Sequence, residues 1–264
     1  MKLYGALIGD IVGSTREVHN EKNEDIVLFP SGSDFTDDSV MTIAVADKLL
    51  HNKMSSQGSR KSYATWYKQY YRKYPNVGYG QMFSKWAESD YYYIQRSYGN
   101  GAAMRVTAIG YACKELEDVW REANHSCFYT HNNHEAKVGA RAIATAVYLA
   151  NKKESKEDIK KFIEKKFKYT FVPLDHLRGT YVFDSRTSYC VPPALQAFFE
   201  SDSYESAIRK AISIGGDSDT IACMAGGVAE AYYDEIPKEI LNRGKGIIDI
   251  GLKKVIEDFN NEFL

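Results

Sequence analysis

The chain has 264 residues, 44% of them hydrophobic and 26% charged, which is enough apolar material for a sizeable core and too much for a mainly disordered chain. Its 34 basic and 35 acidic residues leave a formal charge of −1, so no bulk field favours DNA, RNA or an anionic membrane, and a small or enclosed ligand fits better. No run approaches the roughly 18 apolar residues that span a bilayer, and four cysteines (Cys113, Cys127, Cys190, Cys223) form neither a C-x-x-C pair nor a disulfide framework.

At the N-terminus the apolar stretch is broken by Gly5, Gly9 and Asp10, which is wrong for a signal peptide; with the cysteine usage this predicts a cytoplasmic protein. GALIGDIVG lacks G-x-G-x-x-G and no βαβ unit follows, so its glycines are better read as small residues for helix packing than as a dinucleotide loop. Ser39 to Leu50 places Val40, Ile43 and Ala44 on a helical period behind Thr-Asp-Asp. Tyr91 to Tyr98 is aromatic but bounded by turn residues. Ala102 to Leu116 and Glu135 to Asn151 both repeat apolar residues at spacings of three and four, and the Ala- and Gly-rich second run belongs near the centre of a bundle. Further helices are expected at Glu157 to Tyr169, Tyr204 to Ile214, Asp219 to Tyr233 and Leu252 to Phe263. Lys152 to Lys168 holds eight lysines and four acids, interleaved with Ile159, Phe162, Ile163 and Phe167, which fits a surface helix better than a binding patch. Gly179 to Cys190 is β-branched and aromatic without a βαβ rhythm. The expectation is an all-α protein with one domain over residues 1–264.

Two segments concentrate acids beside hydroxyls: Phe35-Thr36-Asp37-Asp38-Ser39 and Gly215-Gly216-Asp217-Ser218-Asp219-Thr220. Each opens an apolar helix, where one carboxylate could simply cap free N–H groups. A cap needs one oxygen, however, whereas Thr36, Asp37, Asp38, Asp217, Asp219 and Thr220 supply four carboxylates and two hydroxyls. If the helices pack side by side, these groups repel one another without cations. Oxygen-only ligands select hard ions, Mg²⁺ or Mn²⁺, over zinc. Six side chains cannot fill two octahedral shells, so a two-metal site completed by water and substrate is the natural arrangement.

Ser97-Tyr98-Gly99-Asn100-Gly101 opens the 102–116 segment and could hold a phosphate on backbone N–H groups. Trp86, Tyr91, Tyr92, Tyr93 and Tyr98 could stack on a base or pack ordinarily. HNNHEA, from His131 to Ala136, departs from the H-E-x-x-H zinc motif, and no G-x-S-x-G supports a serine nucleophile.

These motifs resemble the ADP-ribosylglycohydrolase family over Gly5 to about Glu230. GALIGDIVGSTRE resembles its first motif, FTDDSVM and GGDSDTIA its two metal motifs, SYGNGAAMRV its substrate loop and Thr130-His131 its Thr-His motif. The resemblance implies a compact orthogonal α-helical bundle, a binuclear Mg²⁺ centre (Mn²⁺ being an alternative) and cleavage of the bond between ADP-ribose and an acceptor on a protein or small molecule. It implies metal ligation by the six residues above, ligand binding by Ser97, Tyr98, Gly99, Asn100, Gly101 and His131, and proton transfer by Glu17 or Asp38. An inactive ADP-ribose-binding protein of the same fold is the alternative. Acceptor and oligomeric state are left open.

Overall fold

A computed structural model describes residues 1–16, 20–51 and 59–264. In chain order the helices are α1 (Tyr4–Gly13), α2 (Asp37–His51), α3 (Ser59–Lys73), α4 (Gln81–Glu88), α5 (Thr107–Ala112), α6 (Leu116–Cys127) and α7 (His134–Asn151). They continue as α8 (Lys156–Phe167), α9 (Leu174–Thr180), α10 (Thr187–Phe199), α11 (Tyr204–Ile212), α12 (Ser218–Tyr233), α13 (Lys238–Ile247) and α14 (Ile250–Phe263), with one 3₁₀ turn at Asn100–Ala102. Among the described residues there is no strand, only isolated bridges from Arg96 to His131 and from Gly99 to Arg186. The protein is an all-α bundle.

Its tightest joint is α1 against α12. Gly5, Gly9 and Gly13 recur every fourth residue and so lie along one face of α1. A Cβ on them would sit 2.4 Å from Glu230 Cβ, 2.1 Å from the Ala222 carbonyl oxygen and 2.4 Å from Asp219 Cα, respectively. Only hydrogen fits there, so the two backbones touch and α1 is buried along its whole length. This contact pins the start of α12, with its acids, to the end of α1. The Ala-rich α7 packs against α5, α6, α10 and α12, in the central position its composition suggested. The lysine-rich α8 buries Ile159, Ile163 and Phe167 and leaves most of its charged residues half-buried or exposed.

The continuous helix expected over 102–116 is not formed. The chain makes the 3₁₀ turn, an irregular step through Val106 (φ −95°, ψ 4°), the short α5, and an extended Cys113 before α6. At the break the Met104 carbonyl accepts from the Thr42 hydroxyl at 3.4 Å and the Cys223 thiol at 3.6 Å, partners from α2 and α12 that replace a helical N–H. The aromatic segment ending at Cys190 forms no strand and enters α10 at Thr187 despite Pro192 and Pro193 inside that helix. Proline 193 cannot donate to the Tyr189 carbonyl. That oxygen instead accepts from the Tyr181 hydroxyl at 3.2 Å. The four cysteines are free and buried. No helix among the described residues is long and apolar enough to cross a membrane.

Candidate metal and ligand site

The N-termini of α2 and α12 meet. Asp37 and Asp38 lie in the first turn of α2, and Asp219 lies in the first turn of α12 behind Asp217, where helix dipoles favour negative charge. Asp217 occupies the cap position but makes no side-chain cap bond. Its carboxylate accepts instead from Asn100 Nδ2 at 2.8 Å. Thr36 takes the capping role on α2, its hydroxyl accepting from the Asp38 N–H at 3.3 Å. Asp217 is therefore not there as a cap, whereas Asp219 Oδ1 does accept from the Thr220 N–H at 2.8 Å in the first turn of α12.

Asp10 joins them from beneath. Sequence reasoning placed it in a packing segment, yet its carboxylate lies with those of Asp38 and Asp219 so that one oxygen from each falls within 4.8 Å of the others. It accepts from the Thr36 N–H at 2.9 Å, the Thr36 hydroxyl at 2.7 Å, the Ser39 N–H at 3.1 Å and the Ser39 hydroxyl. Asp10 thus ties the start of α2 to α1. A carboxylate adjacent to one interface glycine, Gly9, and about one turn before another, Gly13, was the signal available in the sequence.

Burial pushes the Asp10 carboxyl up to about 7, with the Asp219 charge adding to it despite the four donors. Asp38 and Asp219 are held well above the usual carboxylate range, first by burial and then by other carboxylates: Asp219, Asp10, Asp37 and Asp217 around Asp38, and Asp217 beside Asp219. Asp38 Oδ2 accepts from the Thr220 hydroxyl at 3.0 Å, while Asp38 Oδ1 is buried without a partner among the described residues. An orphaned carboxylate oxygen in an all-oxygen cluster fits a hard divalent cation.

Asp38 and Asp219 of this cluster open onto a cleft of about 770 Å³, with Asp10 behind its lining. Thr36, Asp37, Asp38, Asp217, Asp219 and Thr220 all line it, as do Ser97, Gly99, Asn100, Gly101 and His131. Tyr98 does not; its side chain is 54% exposed. Glu17 lies outside the described residues. The loop offers fewer free amides than its glycines suggested, because the Gly99 N–H donates to Ser97 Oγ at 3.1 Å and the Asn100 N–H to the Ser185 carbonyl at 2.8 Å. Nor does the loop open a long helix.

The aromatic lining is also different from the residues singled out by sequence. Trp86 is fully buried, with Nε1 donating to the Tyr93 carbonyl at 2.9 Å, and Tyr91 to Tyr93 lie outside the cleft. Phe35, Phe83 and Phe183 supply the rings, joined by the buried Arg105. Phe35 stood next to the first acidic motif. Phe183 carried no signal, since nothing local marks a loop that folds back over a cleft.

The helical architecture and this site define the class. A solved structure titled "ADP-ribosylglycohydrolase-related protein complex" superposes with a TM-score of 0.72 at 20% identity, covering 98% of this chain and 95% of the other, and so shares the fold. A sequence profile described as ADP-ribosylglycohydrolase matches residues 2–264, and the chain belongs to that family. It is 28% identical to human ADP-ribosylhydrolase ARH3, over 89% of this chain and 86% of that one. It is 27% identical to the ADP-ribosylarginine hydrolase Tri1 of Pseudomonas putida (strain GB-1), over 88% of this chain and 69% of the relative.

Proposed function

We propose that the protein is a Mg²⁺-dependent hydrolase that cleaves the glycosidic bond between ADP-ribose and a modified acceptor. The observation that carries this reading is the convergence of two acid-rich helix starts in the lining of a cleft large enough for a nucleotide ligand. Family membership and the named hydrolase relatives support the reaction class.

Thr36, Asp37, Asp38, Asp217, Asp219 and Thr220 would hold two divalent ions. Bound there, the metal would supply Lewis acidity toward ribose hydroxyls and water. The chain's own residues do the remaining work. Asn100 fixes the Asp217 carboxylate, Thr220 fixes Asp38, and Asp10 holds Thr36 and Ser39 in place, so the ligands are set before any ion arrives. Ser97, Gly99, Asn100, Gly101 and His131 form the wall that receives the ADP-ribose moiety. A ribosyl bond breaks through an oxocarbenium-like state, which requires a proton for the leaving acceptor or removal of one from water. Glu17 or Asp38 handles that proton in this reading.

The test is release of free ADP-ribose from serine-linked and arginine-linked ADP-ribosyl peptides, with Mg²⁺, after chelation, and after Mg²⁺ is restored. Turnover that follows the metal is expected. Tight binding of ADP-ribose with no turnover on either linkage would make the protein an inactive binder of the same fold.

A further inference from the structure

His131 lies at the cleft wall beneath the Gly99 to Gly101 loop, close enough that a Cβ on Gly101 would stand 3.3 Å from its Cε1 and Nε2. Its other ring nitrogen, Nδ1, is 2.8 Å from the Thr130 hydroxyl. That hydroxyl also accepts from Arg105 Nη2 at 2.8 Å. Arg105 is 1% exposed, and its remaining contacts are neutral: the Ser126 carbonyl at 2.9 Å and the face of Tyr67 at 4.2 Å.

From this chain we infer that Arg105 and Thr130 are positioning residues that fix His131 as its Nε2–H tautomer, so that it presents a neutral N–H donor to an oxygen of the bound ligand. The inference rests on the cleft's being the ADP-ribose site. The reason lies in counting protons. A guanidinium donates and never accepts, so Arg105 takes one lone pair of the Thr130 oxygen and fixes which partner is left for the hydroxyl proton. Thr130 is 1% exposed, and its hydroxyl has only Arg105 and His131 as partners among the described residues. If Nδ1 carried the proton, the threonine oxygen would receive two donors and its own proton would be buried without an acceptor, which is costly. The hydroxyl therefore donates to Nδ1, and the imidazole proton resides on Nε2. Burial, followed by the Arg105 charge, holds the ring well below the ordinary histidine range, so it stays neutral at working pH. Nε2 has no partner in the protein among the described residues, which leaves it for the ligand.

Imidazole ¹⁵N spectra of the labelled protein, with His131 assigned by its loss in His131→Gln, read the tautomer without any ligand. A protonated Nε2 and a bare Nδ1 are expected in wild type and in Thr130→Ser, which keeps the hydroxyl. Thr130→Val and Arg105→Met remove one link each and should give a tautomer mixture or the Nδ1–H form. Circular dichroism checks that these variants fold, and Thr130→Ser serves even if the others do not. Calorimetry with ADP-ribose should show Thr130→Ser near wild type and Thr130→Val weaker by about tenfold, the cost of one hydrogen bond. A wild-type Nδ1–H signal overturns the proposal. A wild type that shows the Nε2–H signal but binds no ADP-ribose overturns the functional reading and leaves the tautomer assignment standing.

Discussion

The Thr220 hydroxyl donates to Asp38 Oδ2 at 3.0 Å, closing a gap of 182 positions in sequence between the starts of α12 and α2. The bond joins the two acidic motifs directly and occupies one oxygen of Asp38, while the other, Oδ1, is buried with no hydrogen-bond partner among the described residues. Its consequence is a site in which several carboxylates are held close in a medium that disfavours their charge.

The first prediction follows from that crowding. Saturating Mg²⁺ should raise the melting temperature of wild type, since a ligand at a hundred times its dissociation constant contributes about 2.7 kcal/mol. Asp38→Asn should lose this response and lose turnover by more than about the 10–100-fold that an outer-shell change costs. Metal-free Asp38→Asn should melt no lower than metal-free wild type, because one buried charge has been removed. Differential scanning calorimetry with and without chelator checks both, and a full Mg²⁺ shift in the variant would remove Asp38 from the metal set.

Glu17 carries the second prediction. If it moves the proton at the scissile bond, Glu17→Gln keeps the affinity for Mg²⁺ and for ADP-ribose and lowers kcat, since an interaction confined to the transition state affects turnover and not binding. The expected loss is about 10²- to 10⁴-fold, the usual contribution of a positioned acid or base. Wild-type kcat in this variant would assign the proton to Asp38.

The third concerns the glycine seam. Gly13→Ala would place a methyl 2.4 Å from Asp219 Cα, against backbone that cannot yield without moving the start of α12. It should cost about 1–3 kcal/mol, as overpacking does, and weaken the Mg²⁺-induced stabilisation as well. Gly246→Ala on α13 is the control, because nothing lies within 4 Å of the added carbon. Equal metal responses in the two variants would show that the seam holds the fold but not the site.

Much of this was legible in the sequence because helix starts with hydroxyls and carboxylates are local patterns. The α2, α7 and α12 segments were recognisable from periodicity, and both acidic motifs fell on the helices expected. What escaped depends on partners remote in sequence. The glycines of α1 were legible as small residues for helix packing, but their partner, the groove of α12, was not. Prolines 192 and 193 concealed α10, because the hydroxyl that compensates the lost bond comes from Tyr181. The Ala102 to Leu116 run has helical periodicity, but Thr42 and Cys223 capture the carbonyl at which it breaks. Asp10 looked like part of a packing segment until α2 was laid across it.

The last prediction lies away from the cleft. Lys48 and Glu122 form an ion pair at 2.9 Å with both side chains fully buried, joining α2 to α6. Glu122 also accepts from Ser59 at 3.2 Å and Tyr63 at 2.9 Å, while Lys48 sits 4.2 Å from the Tyr63 ring centre. Burial opposes the charge on each partner. For Glu122 the donors His125, Lys48 and Tyr63 outweigh it and hold the carboxyl down at about 2, whereas for Lys48 burial prevails over the Glu122 charge and the amine lies below its ordinary value. The carboxylate, with more donors, decides the acid behaviour. Its folded value lies below the ordinary 4.5, so the unfolded chain binds the proton first as pH falls. The stabilisation is complete above about pH 5 and is lost progressively as pH falls toward 2, and it amounts to on the order of 3 kcal/mol. Lys48→Met removes the buried cation that faces the Glu122 carboxylate and should cost about 3–5 kcal/mol at pH 7. Glu122→Gln should flatten the fall in stability between pH 5 and 2, measured by urea unfolding at each pH. An unchanged acid limb in Glu122→Gln would mean that other carboxylates, not this pair, govern the acid unfolding of the bundle.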